Sequence, residues 1–241
     1  MSEERGFKQN FIRSFIIGAV ISFVAYMIIT RVNWGLLGLE LGGGPKPDAA
    51  IEEAARAAAV TETIRVGGKT WMKRNLNVWT RNSWCYDDNQ DNCAEYGRLY
   101  TWYAANKACA SLGDGWRLPA AYDWDALIDA VGGGSVAHTT LRAPTGWSPD
   151  YSVGTDDFGF SALSCGRRFC QNSYRSKGSR VNCFFGSKGD AVWWTATGDG
   201  FDAYHVHIGL YYNHEYHGYK EKIEIKRYTR IGGCSVRCVK D

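Results

Sequence analysis

Cys165 and Cys170, in LSCGRRFC, stand with four residues between them, and paired thiolates are suitable ligands for a soft ion such as Cu(I). His205 and His207, in AYHVHIGL, lie two apart on a strand and so share a face, a spacing that can bind a metal. His214 and His217 follow closely. No carboxylate-rich or cysteine context completes that site, and the pair reads as solvated strand positions. Between Cys85 and Cys93, Asp87, Asn89 and Asp91 alternate like the oxygen ligands of a calcium loop. The glycine position is Asn92 and the terminal glutamate position is Arg98, so the EF-hand pattern fails. The segment reads instead as a surface loop closed by a Cys85–Cys93 disulfide, with Asp87, Asp88 and Asp91 left for adventitious calcium. Trp193 and Trp194, in WWTAT, point to opposite faces of a strand. One is expected in the core. The other, with Tyr211, Tyr212, Tyr216 and Tyr219, is a candidate aromatic platform for sugar rings or a protein surface. The competing expectation is that these rings pack under long loops. No Ser-His-Asp order, phosphate loop or zincin helix is present, and Asp156 and Asp157 are adjacent along the chain, not placed across a cleft. No catalytic residue, metal or cofactor is expected.

The surroundings of these residues point outside the cytoplasm. Ser14 to Thr30, SFIIGAVISFVAYMIIT, carries no charge. With Phe11, Ile12 and Val32 beside it, it approaches the ~20 residues that cross a bilayer as a helix. Arg13 and Arg31 bracket it and can snorkel to the interface. Arg5, Lys8 and Arg13 precede it, whereas only Arg31 follows before Lys46. The positive-inside bias therefore keeps residues 1–13 in the cytoplasm and exports the remainder. The apolar run is long for a signal peptide, and no small-x-small site follows it. No cysteine precedes Cys85, which excludes a lipobox. Gly6-Phe7 resembles a prepilin junction, but Phe11 stands where pilins carry glutamate, and Lys8 and Arg13 interrupt the apolar stretch. All eight cysteines lie beyond the apolar segment, where disulfides persist. A net charge of +3 without a polybasic tract argues against nucleic acid as a partner.

The elements that must position these residues are short. Residues 31–62 read as a linker, with DAAIEEAARAAAV as an Ala-rich helical stalk capped by Asp48. From residue 63 to 241 runs the exported domain. TIRVGGKTWM reads as a hairpin about Gly67-Gly68. A helix is expected from Gly97, with Leu99, Trp102, Ala105, Cys109 and Leu112 on one face and Gly113 as its stop. A second follows Pro119, carrying Trp124, Leu127, Ile128 and Val131. Gly132 to Gly134 ends it, and everything later reads as strand and loop. The class is α+β. There is no internal repeat.

GKTWMKRNLN, NSWCYDDNQDNC, YGRLYTWYAA, GWRLPAAYDWDAL, DFGFSAL, WWTAT and SVRCVKD occur in that order. Together they resemble the Fibrobacter succinogenes major paralogous domain, a family of bacterial surface domains of unassigned function, over roughly Thr63 to Asp241. The family is similar to the formylglycine-generating-enzyme/sulfatase-modifying group and, more remotely, to C-type lectins. The resemblance implies a C-type-lectin-like domain of two helices and short antiparallel strands, preceded by one transmembrane helix. It supplies no activity, because folds host many functions. It makes Gly-Trp-Arg-Leu-Pro the lead into the second helix, with Leu118 in the core, Pro119 at the first turn and Trp124 against the first helix. Ala120 replaces the family's Ser or Thr cap, a loss of ~1 kcal/mol that Asp123 offsets through the helix dipole. Asp157, opening DFGF, is expected to fix a turn.

The same fold implies a Cys109–Cys238 disulfide, whose long loop contributes about 4 kcal/mol or more in the chain-entropy model. Formylglycine-generating enzymes use a cysteine pair spaced like Cys165 and Cys170 to bind copper and oxidise a substrate cysteine. Their other signature residues are not evident, and Cys183 and Cys234 also need partners. Bridges Cys165–Cys234 and Cys170–Cys183 satisfy all eight. The calcium-lectin signatures Glu-Pro-Asn and Trp-Asn-Asp are absent. The sequence thus reads as a single-pass cell-envelope protein, held in the lipid bilayer by residues 14–30, with its C-terminal domain in the periplasm or outside. The expected role is non-catalytic binding or surface assembly, with a glycan or another envelope protein as partner. The alternatives are a copper-dependent oxidase using Cys165 and Cys170, and a pilin-like filament subunit.

Overall fold

The computed structural model describes residues 46–169, 184–187, 189–213 and 217–241. The apolar segment 14–30, Cys170, Cys183, His214 and Tyr216 lie outside the described residues, as does the side chain of Tyr212. The described chain runs α1 (Ala49–Thr61), β1 (Thr63–Val66), β2 (Lys69–Met72), β3 (Ser83–Trp84), α2 (Gln90–Tyr96), β4 (Leu99–Tyr100), α3 (Trp102–Ala110), α4 (Ala121–Ala130), α5 (Gly134–Thr140), β5 (Cys165–Arg168), β6 (Phe184–Ser187), β7 (Ala191–Asp199), β8 (Asp202–Asn213), β9 (Gly218–Thr229) and β10 (Val239–Lys240). Among these, no helix is long and apolar enough to cross a membrane.

Gly67 and Gly68 hold φ of 61° and 75°, the left-handed backbone of a two-residue hairpin turn. They fold β1 onto β2, and β10 pairs with the other edge of β2. The two ends of the domain are therefore neighbours. β7, β8 and β9 form a second antiparallel sheet with long strands, and β3–β4 and β5–β6 are separate two-stranded pairs. The mixture of helices and antiparallel strands agrees with the α+β expectation.

The long sheet is covered on both faces, which gives the domain two cores. One gathers Met72, Leu76, Tyr100, Ala105, Trp116, Trp194 and the Cys109–Cys238 disulfide. The other gathers Trp71, Trp124, Leu127, Phe160, Trp193, Val206 and Ile208. Adjacent residues of β7 enter opposite cores, so Trp193 and Trp194 are both fully buried. Neither is available for a surface platform.

Several expected elements shift. The first long helix begins at Trp102, not Gly97, because Leu99 and Tyr100 pair with β3. Thr101 caps it, accepting a 3.4 Å hydrogen bond from Ala104 N. α2 and α5 are additional helices, and α5 occupies chain expected as loop. α1 does not stand off as a stalk. Its Ala59 is buried, Glu52 accepts from Trp79 N at 2.8 Å, and Glu62 pairs with Arg74 at 2.6 Å.

Gly-Trp-Arg-Leu-Pro is architecture, by a route more direct than dipole compensation. Asp123 Oδ2 accepts from Ala120 N at 2.7 Å, the carboxylate half of a capping box. The same carboxylate takes both Arg117 Nη atoms, at 2.6 and 3.0 Å. Trp124 packs on Trp71, Trp193 and Phe160, with centroids 4.9, 5.6 and 5.9 Å away, and not on the first helix. Asp123→Ala strips a buried carboxylate from both partners at once. Urea denaturation should show a loss of roughly 2 kcal/mol or more, whereas a loss below about 0.5 kcal/mol would contradict this role.

Candidate ligand-binding groove

Three polar constellations survive in this aromatic framework. The deepest is built on Arg237, fully buried in the loop before β10. Its Nε donates to Asn75 Oδ1 at 2.9 Å, Nη1 to Lys73 O at 2.7 Å and to Phe160 O, and Nη2 to Ser161 O at 3.0 Å. Asn75 Oδ1 also accepts from Trp193 Nε1 at 2.9 Å. Gly97, at φ 76°, admits this loop, since a Cβ there would sit 2.8 Å from Asn75 Cβ. Asp156, rather than Asp157, fixes the adjoining turn, accepting from Ser161 N and Oγ at 2.5 and 2.6 Å. Burial pulls the Arg237 guanidinium down to about 9, so it stays charged at neutral pH.

Beside this network lie the cysteines. Cys85–Cys93 and Cys109–Cys238 are disulfides. The expected Cys165–Cys234 bridge is not formed, and both are buried free thiols. Cys165 Sγ instead contacts Ser235 Oγ at 2.8 Å, and burial pushes both thiols up. Among the described residues, no three His, Cys, Asp or Glu side chains converge to hold a metal ion.

The histidines are not solvated. His205 and His207 are both buried on the central strand β8. His207 Nε2 lies 2.9 Å from Asp190 Oδ1, and its Nδ1 lies 2.6 Å from Tyr211 Oη. Tyr211 is thus tied inward, with the Lys226 ammonium 3.8 Å above its ring. His205 packs on Tyr228 and Trp194 at 5.5 and 6.3 Å and has no partner at either nitrogen among the described residues. Desolvation lowers its pKa to about 3.

The third constellation opens to solvent. The chain between α5 and β5 crosses the β8–β9 hairpin and leaves two adjoining hollows of about 720 and 440 Å³. They share Asp150 and Leu210. His138, Ser152, Tyr219, Lys220 and Glu221 line one, and Trp147, Ser148, Tyr151 and Asp190 line the other. Both walls are pinned. The buried Arg142 lies 2.7 Å from Glu221 Oε2 and also donates to Ser152 Oγ at 2.8 Å. Glu221 accepts from Ser152 N and Oγ at 2.5 and 2.9 Å. Tyr151 Oη donates to Gly189 O and accepts from Leu210 N at 3.0 Å. Of the described residues of the expected platform, Tyr219 alone reaches this groove, 70% exposed. The other groove residues were not read from the sequence. Their signal was APTGWSPDYS, where turn residues interleave with aromatics and a carboxylate in a long connection, the setting in which binding residues concentrate.

The model of a family described as the Fibrobacter succinogenes major domain matches residues 64–240. This chain belongs to that family. No curated protein and no solved structure matches it. Most of the motifs that mark this Fibrobacter domain lead inward. KRNLN supplies Asn75, DFGFSAL the Phe160 and Ser161 carbonyls, WWTAT the indole on Asn75, and SVRCVKD Arg237 itself. The groove lies apart from them.

An unfolded chain protonates His205 near pH 6.5, whereas the folded domain resists until about 3. Stability therefore falls as pH drops through that window, by up to about 1.4 kcal/mol per unit from this one group. His205→Phe removes the term. Between pH 7.5 and 5, urea midpoints should show wild type losing about 2 kcal/mol more than His205→Phe. Equal losses in the two proteins would contradict a neutral buried imidazole.

Proposed function

We propose that this chain is a membrane-anchored, extracytoplasmic binding protein without catalytic activity, whose ligand, a glycan or another envelope protein, occupies the groove between the α5–β5 connection and the β8–β9 hairpin. The observation that carries the proposal is the groove's construction. An ion pair, two serine contacts and a tyrosine bridge hold its walls, while Tyr219, Asp150 and Lys220 face solvent. A site rigid before its ligand arrives loses less entropy on binding.

The wider reading rests on three supports. The paired first and last strands and the Cys109–Cys238 staple between α3 and the chain end suit a C-type-lectin-like fold related to the sulfatase-modifying group. Two disulfides suit an oxidising compartment. The uncharged run 14–30 suits a bilayer anchor that leaves the domain in the periplasm or outside. Against a copper-dependent oxidase stands Cys165, buried in a setting that disfavours the thiolate a metal needs.

Detergent-solubilised full-length protein, applied to glycan and envelope-protein arrays, tests the proposal. Wild type should give signal on one of them, Cys165→Ser should keep it, and the double variant Tyr219→Ala/Lys220→Glu should lose at least about tenfold in affinity, the removal of one well-placed contact. Signal untouched by the groove variant, or oxygen consumption abolished by Cys165→Ser, would overturn it.

A further inference from the structure

The lining of the groove narrows what it can hold. This step rests on the reading of the groove as a binding site. Anionic polymers require clustered cations, yet Lys220 is the one lysine or arginine side chain among the described lining residues. Arg142 lies beneath, buried and matched by Glu221. Asp150 is exposed and Asp190 partly so, and both would repel acidic sugars or phosphates. A peptide added to a sheet edge still draws its specificity from side-chain pockets. β9 leaves one edge of its sheet open, but among the described lining residues Leu210 and Pro149 alone are aliphatic.

The remaining surface suits a polyhydroxylated ring. Tyr219 offers an exposed aromatic ring in one hollow, and Trp147 a partly exposed one in the other. The Trp147 indole is oriented by its Nε1 donating to Ala162 O at 3.0 Å. Between the aromatics stands Asp150, its carboxylate set by Ser148 Oγ at 2.9 Å, an acceptor for sugar hydroxyls. Each hollow has the volume of a small-molecule site, about 300–1,000 Å³. Because they share Asp150 and Leu210, a chain seated in one continues into the other.

We infer that the groove takes an uncharged, extended oligosaccharide, spanning from the Tyr219 hollow to the Trp147 hollow, with Asp150 bonding to hydroxyls at the junction. Calcium plays no part, since recognition rests on ring stacking and a protein carboxylate.

Isothermal titration of the full-length protein in detergent, with EDTA present, tests this using cellohexaose, xylohexaose and chitohexaose as neutral probes, hexagalacturonate as the acidic probe, and the matching monosaccharides. At least one neutral hexamer should bind at least tenfold more tightly than its monosaccharide and than hexagalacturonate. Tyr219→Ala should weaken it about three- to tenfold, the scale of one stacking contact, and Asp150→Ala should also weaken it. Tyr122→Ala, an exposed ring on α4, should leave it unchanged. Preference for hexagalacturonate, or a monosaccharide bound as tightly as the hexamer, overturns the inference but keeps the groove as a binding site while Tyr219→Ala still weakens the complex. Sugar binding indifferent to Tyr219 and Asp150 overturns both. Silence with every sugar overturns the inference and leaves the envelope-protein arrays to judge the groove.

Discussion

A buried guanidinium that touches no carboxylate of the described residues holds this domain together. Taking a charge out of water costs several kcal/mol unless its donors are satisfied, and the donors of Arg237 are met by Asn75 and by backbone carbonyls of Lys73, Phe160 and Ser161. Those acceptors belong to two segments distant in sequence, one beyond β2 and one before β5. The cation itself arrives from the last stretch of the chain, so its desolvation is offset only when all three segments meet. Phe160 adds its ring, 4.3 Å from the guanidinium carbon. Lysine has three donors on a flexible stem and cannot reproduce such a planar fork.

The rest of the fold follows from that meeting. Once the C-terminal strand is docked, Cys238 faces Cys109 on α3, and their bond closes a loop with a sequence separation of 129. Trp193 is drawn to Asn75 on one side of β7, while Trp194 donates to Tyr100 O at 2.7 Å on the other. β7 is thereby fixed between two cores, and β8 and β9 extend from it as a long hairpin. The far end of that hairpin forms one wall of the groove. The connection from α5 forms the other, clamped by Arg142 and Glu221. The groove thus owes its shape to a core many residues away.

The local signals in the sequence proved reliable where local physics dominates. Gly67-Gly68 announced the hairpin, and the apolar spacing after Pro119 announced α4. The short Cys85–Cys93 loop was readable from its own residues, whereas Cys109–Cys238 followed only from the family resemblance. Failures arose where distant chain decides. Alternation on β7 left the second tryptophan open, as a platform or as a packed ring, and the covering of both faces of that sheet packs it. The same covering buried His205 and His207. Leu99 and Tyr100 look helical by spacing, yet β3 claims them as a strand. Cysteine counting favoured a Cys165–Cys234 bridge, but the fold sets the Cys165 sulfur against Ser235 Oγ. The groove was least legible, because its walls meet only in three dimensions and its residues follow no period.

Equilibrium urea denaturation of Arg237→Lys is the most direct test of the central claim. Lysine keeps the charge but cannot supply the fork, leaving buried carbonyls without donors at about 1–3 kcal/mol each. The variant should lose more than about 3 kcal/mol, or fail to fold, with its disulfides intact. A variant within about 0.5 kcal/mol of wild type would show that the domain closes without this arginine.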